Sequence, residues 1–140
     1  MKIGIAGLGL IGGSLGLSLK ESGYAQKVLG YDQVAEHMEI ARQKCIIDEQ
    51  CDTMEDLVDQ SDVIILAMPV HTIRKILPQV LDRVGQKMVI DVGSTKQDIV
   101  SSVKNHPGRS RYLPTHPMAG TEYSGPHAAV HRLFEGKVCV

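Results

Sequence analysis

The sequence predicts an α/β fold, a doubly wound, mostly parallel sheet with helices on both faces. Three observations predict it. Short β-branched runs alternate with longer segments of helical period. The run Val63-Ile64-Ile65-Leu66-Ala67 is apolar at every position, as a central strand covered on both faces must be. A glycine-rich turn joins the first β-like run to the first helix-like one. At 140 residues the chain has room for one domain around one apolar core and not for two.

The elements follow in order. Lys2 to Ala6 is the first strand. Ile11, Leu15 and Leu19 then recur at one-turn spacing and Gly23 stands ready as a C-terminal cap, so Leu10 to Ser22 is a helix. Val28 to Tyr31 is the second strand, Val34 to Lys44 a helix, Ile46 to Cys51 a short extended piece and Met54 to Gln60 a small helix. Val63 to Ala67 is the next strand, stopped by Pro69. From Thr72 to Val84 the residues Ile73, Ile76, Leu77, Val80, Leu81 and Val84 keep helical spacing, while Pro78 predicts a kink or an early break. Met88 to Val92 is a strand, Lys96 to Asn105 a helix ended by His106-Pro107-Gly108, and Tyr112 to Thr115 a strand. Gly136 to Val140 opens another strand. An apolar end with no turn or polar tail reads as an imposed cut, with more chain expected beyond it.

Composition narrows the function. Hydrophobic residues make up 43% and charged residues 22%, the balance of a globular protein rather than a disordered one. The net charge is -1 with the basic residues scattered, so nucleic acid and anionic membrane surfaces are not expected partners. The start, Met1-Lys2-Ile3-Gly4-Ile5, has an apolar run of only about five residues, too short for a signal-peptide core or a spanning helix, and the expected location is the cytoplasm. Cys45, Cys51 and Cys139 lack the CxxC spacing of metal or redox sites, so neither a metal nor a disulfide framework is expected.

Gly7-Leu8-Gly9-Leu10-Ile11-Gly12 directly follows the first strand and opens the first helix. Gly7 can make the tight turn, Gly9 can admit a pyrophosphate to the backbone, and Gly12 can let the helix lie close on the sheet. The helix start at Leu10 and Ile11 offers unbonded N–H groups and a favourable dipole to an anion. Asp32 ends the second strand 20 residues after Gly12, where a carboxylate can accept the hydroxyls of an adenosine ribose. It would repel a 2′-phosphate, and Gln33-Val34-Ala35 supplies no arginine, so NAD is expected rather than NADP. The plainer alternative has the glycines only turning the chain and Asp32 only capping the second helix; strand, loop, helix, strand and acid in register favour a Rossmann-type dinucleotide site. A methyltransferase would carry its acid just before the first glycine, and that position is Ala6.

Ligands of such sheets sit beyond the carboxyl ends of the strands. The residues there are Met68-Pro69-Val70-His71, Asp91-Val92-Gly93-Ser94-Thr95-Lys96 and His116-Pro117-Met118-Ala119-Gly120, continued by Thr121-Glu122-Tyr123-Ser124-Gly125. Met68 and Pro69 join Gly7, Gly9, Leu10, Ile11, Gly12 and Asp32 as candidate cofactor residues. His71 flanks that pocket, while His37, His106, His127 and His131 read as surface or turn residues. A lone His before Pro is by default a turn residue, and Ser94 by default a helix N-cap.

The GLGLIGGSL opening, the DVGSTK segment and HPMAGTEYSG, in this order, give the whole chain a different reading: it resembles the prephenate and arogenate dehydrogenase family. The resemblance implies NAD-dependent oxidation of prephenate or arogenate with loss of carbon dioxide, in tyrosine biosynthesis. It implies that His116 takes the proton of the ring hydroxyl, a role suited to neutral imidazole. It implies that Ser94 orients histidine and substrate, and that Lys96, Thr121 and Glu122 lie at the substrate. It also implies a helical second domain, absent from this chain, that supplies a substrate-binding arginine and forms a homodimer; the fragment alone is then expected to be inactive. Two rivals stand beside it: another small-substrate dehydrogenase or imine reductase of similar architecture, and a non-catalytic NAD-binding regulatory module.

Overall fold

The computed structural model describes residues 1–140. Six strands form one sheet: β1 (Lys2–Ala6), β2 (Lys27–Tyr31), β3 (Glu49–Gln50), β4 (Val63–Leu66), β5 (Met88–Asp91) and β6 (Tyr112–Pro114). Their order is β3-β2-β1-β4-β5-β6 and every pairing is parallel. The chain starts in the centre, winds outward to β3, then returns to β4 and winds the other way. The order therefore reverses between β1 and β4, and the crevice at that point is where such sheets bind ligands.

Five helices connect the strands: α1 (Leu10–Glu21), α2 (Ala35–Gln43), α3 (Met54–Gln60), α4 (Val70–Arg83) and α5 (Gln97–Ser102). Alternation along each strand sends successive side chains to opposite faces. Ile3 and Ile5 accordingly join one buried cluster with Val28, Ala41 and Ile46, while Ala6, Ile64 and Leu66 join the other with Leu57, Ile73, Leu77 and Ile99. Both faces of the sheet are covered, as the apolar run at β4 requires.

Pro78 does not break its helix. α4 runs uninterrupted from Val70, two residues before the expected start, to Arg83. Proline forfeits one intrahelical bond, worth about 3 kcal/mol in all. Ile73, Leu77, Val80 and Leu81 are buried on both sides of it, and each contributes about 1.5–3 kcal/mol. The packing wins, and the carbonyl left without its donor belongs to the exposed Arg74.

α5 is shorter than its periodicity suggests because the chain tightens after Ser102. The N–H groups of Val103, Lys104 and His106 each reach back three residues, to Val100, Ser101 and Val103. The extended piece at 46–51 contributes only the two residues of β3 to the sheet. The end of the chain does extend, but against the residues after β6: Pro117 and Cys139 form an antiparallel bridge. No helix is long and apolar enough to cross a membrane.

Candidate active site

The turn after β1 places three glycines for three different reasons. Gly7 has φ +93°, and a Cβ there would lie 2.4 Å from the Ala67 carbonyl oxygen. A Cβ on Gly12 would lie 1.9 Å from the oxygen of Gly7, so only glycine lets α1 close onto its own turn. Gly9 faces open space, with no atom within 4 Å of where its Cβ would be. That opening lies at the start of α1, whose first N–H groups, including those of Leu10 and Ile11, have no intrahelical acceptor and no side-chain cap.

Asp32 fastens this turn to the end of β2. Its Oδ2 accepts from the N–H of Leu8 at 2.8 Å and its Oδ1 from the N–H of Val34 at 2.9 Å. It does not cap α2 as its N-cap residue, a position held by Val34. Asp32, Gly7, Gly9, Met68 and Pro69 share a cavity of about 310 Å³. An open face over Gly9, an uncapped helix start and a fixed carboxylate are the donor and acceptor set of a dinucleotide's pyrophosphate and ribose, so the residues fit that group.

A second cavity, of about 250 Å³, brings Ser94 and His116 together with Ile11, Met68 and Pro69. The stretch Ala67-Met68-Pro69 lines both cavities and forms their common wall. Four separate loops meet here, after β1, β4, β5 and β6. Ser94 does not cap α5: the N-cap position is Lys96, with no side-chain cap bond. His116 is held through its backbone, donating to the oxygen of Val140 at 2.7 Å and accepting from the N–H of Val140 at 3.0 Å, while Met118 N–H reaches Val138 oxygen at 2.8 Å.

Beneath this cavity lies Asp91, fully buried at the end of β5. A buried carboxylate survives only with partners. Oδ2 accepts from the N–H of Gly93 at 2.9 Å and from the Nζ of Lys96, and Oδ1 from the Tyr112 hydroxyl at 2.7 Å. Its backbone oxygen accepts from both the N–H and the Oγ1 of Thr115. One residue thereby anchors the loop carrying Ser94 and the strand leading into His116. Burial, reinforced by Asp91, pushes the Tyr112 phenol well above its ordinary value.

The other expected site residues fall differently. Lys96 turns inward to Asp91 instead of standing free as a cation for a ligand. Thr121 accepts from the N–H of Tyr123 at 3.2 Å, and Glu122 lines a separate shallow cavity with Tyr123, Ser124 and His127. Neither lines the cavity of Ser94 and His116. His71 is exposed in the first turn of α4. No cluster of three or more His, Cys, Asp or Glu side chains could hold a metal ion.

His37 departs from its reading as a surface or turn residue. It lines the cavity of Gly7 and Asp32, with Nδ1 3.4 Å from Asp32 Oδ2. Side chains in the first turn of a helix lean toward its N-terminus, and α2 begins at Ala35, so the sequence did carry that signal. The remaining histidines fit a surface or turn reading: His106, only 14% exposed, accepts from the N–H of Gly108 within its turn and contacts Asp82, His131 contacts Glu21, and His127 is exposed.

Comparison with known proteins agrees with this architecture. The family model described as prephenate dehydrogenase, nucleotide-binding domain, matches residues 15–140. A prephenate dehydrogenase of Bacillus subtilis (strain 168) is 36% identical over 135 residues, covering 94% of this chain and 36% of that protein. The solved structure of prephenate dehydrogenase from A. aeolicus, in complex with hydroxyphenyl propionate and NAD+, superposes with a TM-score of 0.90 at 35% identity, over 99% of this chain and 49% of that one. The Synechocystis arogenate dehydrogenase superposes with a TM-score of 0.88 at 29% identity, over 99% and 49%. An imine reductase from Pseudomonas sp., at 18% identity and a TM-score of 0.65, shares the fold. The chain thus spans about a third of the first of these relatives and half of the two dehydrogenase structures. With its glycine turn, its 3-2-1-4-5-6 sheet and these matches, the chain belongs to the prephenate dehydrogenase nucleotide-binding domain family.

Proposed function

We propose that this chain is the NAD-binding part of a cytoplasmic dehydrogenase that oxidises prephenate, or its amino counterpart arogenate, with loss of carbon dioxide in tyrosine biosynthesis. The observation that carries the reading is the common wall Ala67-Met68-Pro69, which sets the cavity of Ser94 and His116 beside that of Gly7, Gly9 and Asp32. A cofactor spanning the two has its adenosine end at Asp32 and its reactive end at His116.

In this reading the first N–H groups of α1, from Leu10 to Gly12, receive the pyrophosphate, Gly9 leaves room for it, and Asp32 accepts the ribose hydroxyls. Met68 and Pro69 wall the path. NAD, when bound, supplies the hydride acceptor. His116 accepts the proton of the ring hydroxyl, and Ser94 holds that hydroxyl and the imidazole in line. Asp91 keeps both loops in register from below. Lys96 is paired with Asp91 under the loop of Ser94, and the loop of Thr121 and Glu122, outside this cavity, is assigned to the substrate side.

The substrate carries two carboxylates, and few free cations surround this cavity. We assign the missing ones to a helical region beyond residue 140 that also makes the homodimer, consistent with the greater length of the relatives. The test is NADH formation by the full-length protein, offered prephenate and arogenate separately. His116→Asn is expected to lower turnover by about 10²–10⁴ while NAD affinity stays within about twofold. Turnover of hydroxyacids without turnover of prephenate or arogenate would replace this reading with another dehydrogenase, and tight NADH binding without turnover of any substrate would replace it with a regulatory module.

A further inference from the structure

We propose that His37 is a specificity-determining residue of the nucleotide site, one that tempers the exclusion of a 2′-phosphate by Asp32. The inference rests on the dinucleotide reading of the cavity. The N–H groups of Leu8 and Val34 take one lone pair on each carboxylate oxygen, which fixes the plane of the group and prevents it from swinging aside for a bulkier ligand. A carboxylate so fixed puts its charge permanently where a 2′-phosphate would sit, and alone it would reject that phosphate.

It is not alone. His37 reaches the same edge of the cavity from the first turn of α2, with Nδ1 3.4 Å from Asp32 Oδ2. Histidine is the side chain whose charge ordinarily changes between about pH 5 and 8. Asp32, from the loop after β2, is the one charged group within ion-pair distance of the ring. From the segment after β6 the ring meets Gly125, uncharged, whose added Cβ would lie 3.9 Å from Nε2. Neutral His37 leaves the pair with the full negative charge of Asp32. Protonated His37 cancels that charge and so lowers the repulsion that an incoming 2′-phosphate meets. The site therefore favours NAD over NADP by a margin that His37 sets and that narrows as pH falls.

The experiment is fluorescence titration of NADH and NADPH into the chain and into His37→Ala, His37→Gln and Asp32→Asn, at about pH 6 and about pH 8. The unsubstituted chain is expected to prefer NADH at both, with the preference smaller at the lower pH. His37→Ala is expected to weaken NADPH about fivefold relative to NADH at the lower pH, the effect of one partly exposed ion pair. His37→Gln keeps a polar side chain of similar reach but is expected to show the same loss of pH dependence, which a purely structural role would not produce. Asp32→Asn should erase most of the preference. An NADH-to-NADPH ratio that His37→Ala leaves unchanged at both pH values overturns this inference alone. Failure of the unsubstituted chain to bind either nucleotide overturns the dinucleotide reading and this inference with it.

Discussion

Tyr112 donates its phenolic proton to Oδ1 of Asp91 across 2.7 Å, joining β6 to β5 directly beneath the cavity of Ser94 and His116. The bond lies in the buried layer of the sheet, where a carboxylate cannot turn to water for a substitute.

Tyr112→Phe is therefore expected to cost about 1.5–3 kcal/mol, the worth of a hydrogen bond to a charged group, as measured by urea unfolding near neutral pH. Burial first, and Asp91 second, raise the phenol in the folded protein. A raised folded value means the stabilisation is complete below the unfolded value, near 10, and is lost as pH rises toward the folded one. The parent should lose stability above about pH 10, and the Phe variant should lose less over that range. Parallel alkaline profiles would rule this out.

The glycine turn separates folding from binding. Gly12→Ala drives a methyl into the carbonyl of Gly7, backbone against backbone, and is expected to cost about 3 kcal/mol or prevent folding. Gly9→Ala meets open space at φ -71°, an angle any residue adopts, so stability should stay within about 0.5 kcal/mol. Its methyl occupies the path assigned to the pyrophosphate, and NADH affinity should fall about tenfold or more. Thermal melts together with NADH titration read both quantities, and a Gly9→Ala variant that binds as tightly as the parent removes that path.

Asp48 clamps the edge of the sheet. Its Oδ2 accepts from the N–H of Val28 at 2.8 Å and its Oδ1 from Lys20 at 2.6 Å. Burial pushes its carboxyl up, but Lys20, the Val28 N–H and Lys27 outweigh burial and hold it below its ordinary value. A lowered folded value means the stabilisation is present above the unfolded value, near 3.9, and disappears as pH falls through the folded one. Asp48→Asn should cost about 1 kcal/mol at neutral pH, and the difference should narrow as pH falls below about 3.9. Unfolding curves at neutral and acid pH would expose an error here as a gap that does not narrow in acid.

The three thiols should separate by rate. Cys45 and Cys139 are exposed, whereas Cys51 is buried, and burial, aided by Glu49, Asp56 and Asp52, pushes its thiol up to about 11. An aromatic disulfide reagent near pH 8 is expected to modify two thiols quickly and the third only on unfolding. Equal rates for all three would contradict the burial of Cys51.

Much of the site is written in short stretches of chain. The spacing of Gly7, Gly9, Gly12 and Asp32, and the position of each loop after a strand, depend on residues near one another and on the 2 and 3.6 periods of the backbone. Pro78 misleads because its local cost is visible in sequence, whereas the burial of Ile73, Leu77, Val80 and Leu81 that outweighs it is tertiary. Lys96 reads as a free cation in DVGSTK, yet the carboxylate that claims it stands only five residues earlier. What decides the pairing is the burial of Asp91 between β4 and β6, which periodicity does not reveal.

The sequence by itself determined the parallel α/β sheet, the glycine turn, the acid at the end of β2 and the loops that carry Ser94 and His116. Only the tertiary structure decided which partners those loops take: His37 beside Asp32, Lys96 and Tyr112 on Asp91, and Val140 along His116. The physical reason is distance along the chain. Turns and helices obey constraints between neighbours, but a buried carboxylate or a strand edge takes its donors from whatever the strand order brings beside it.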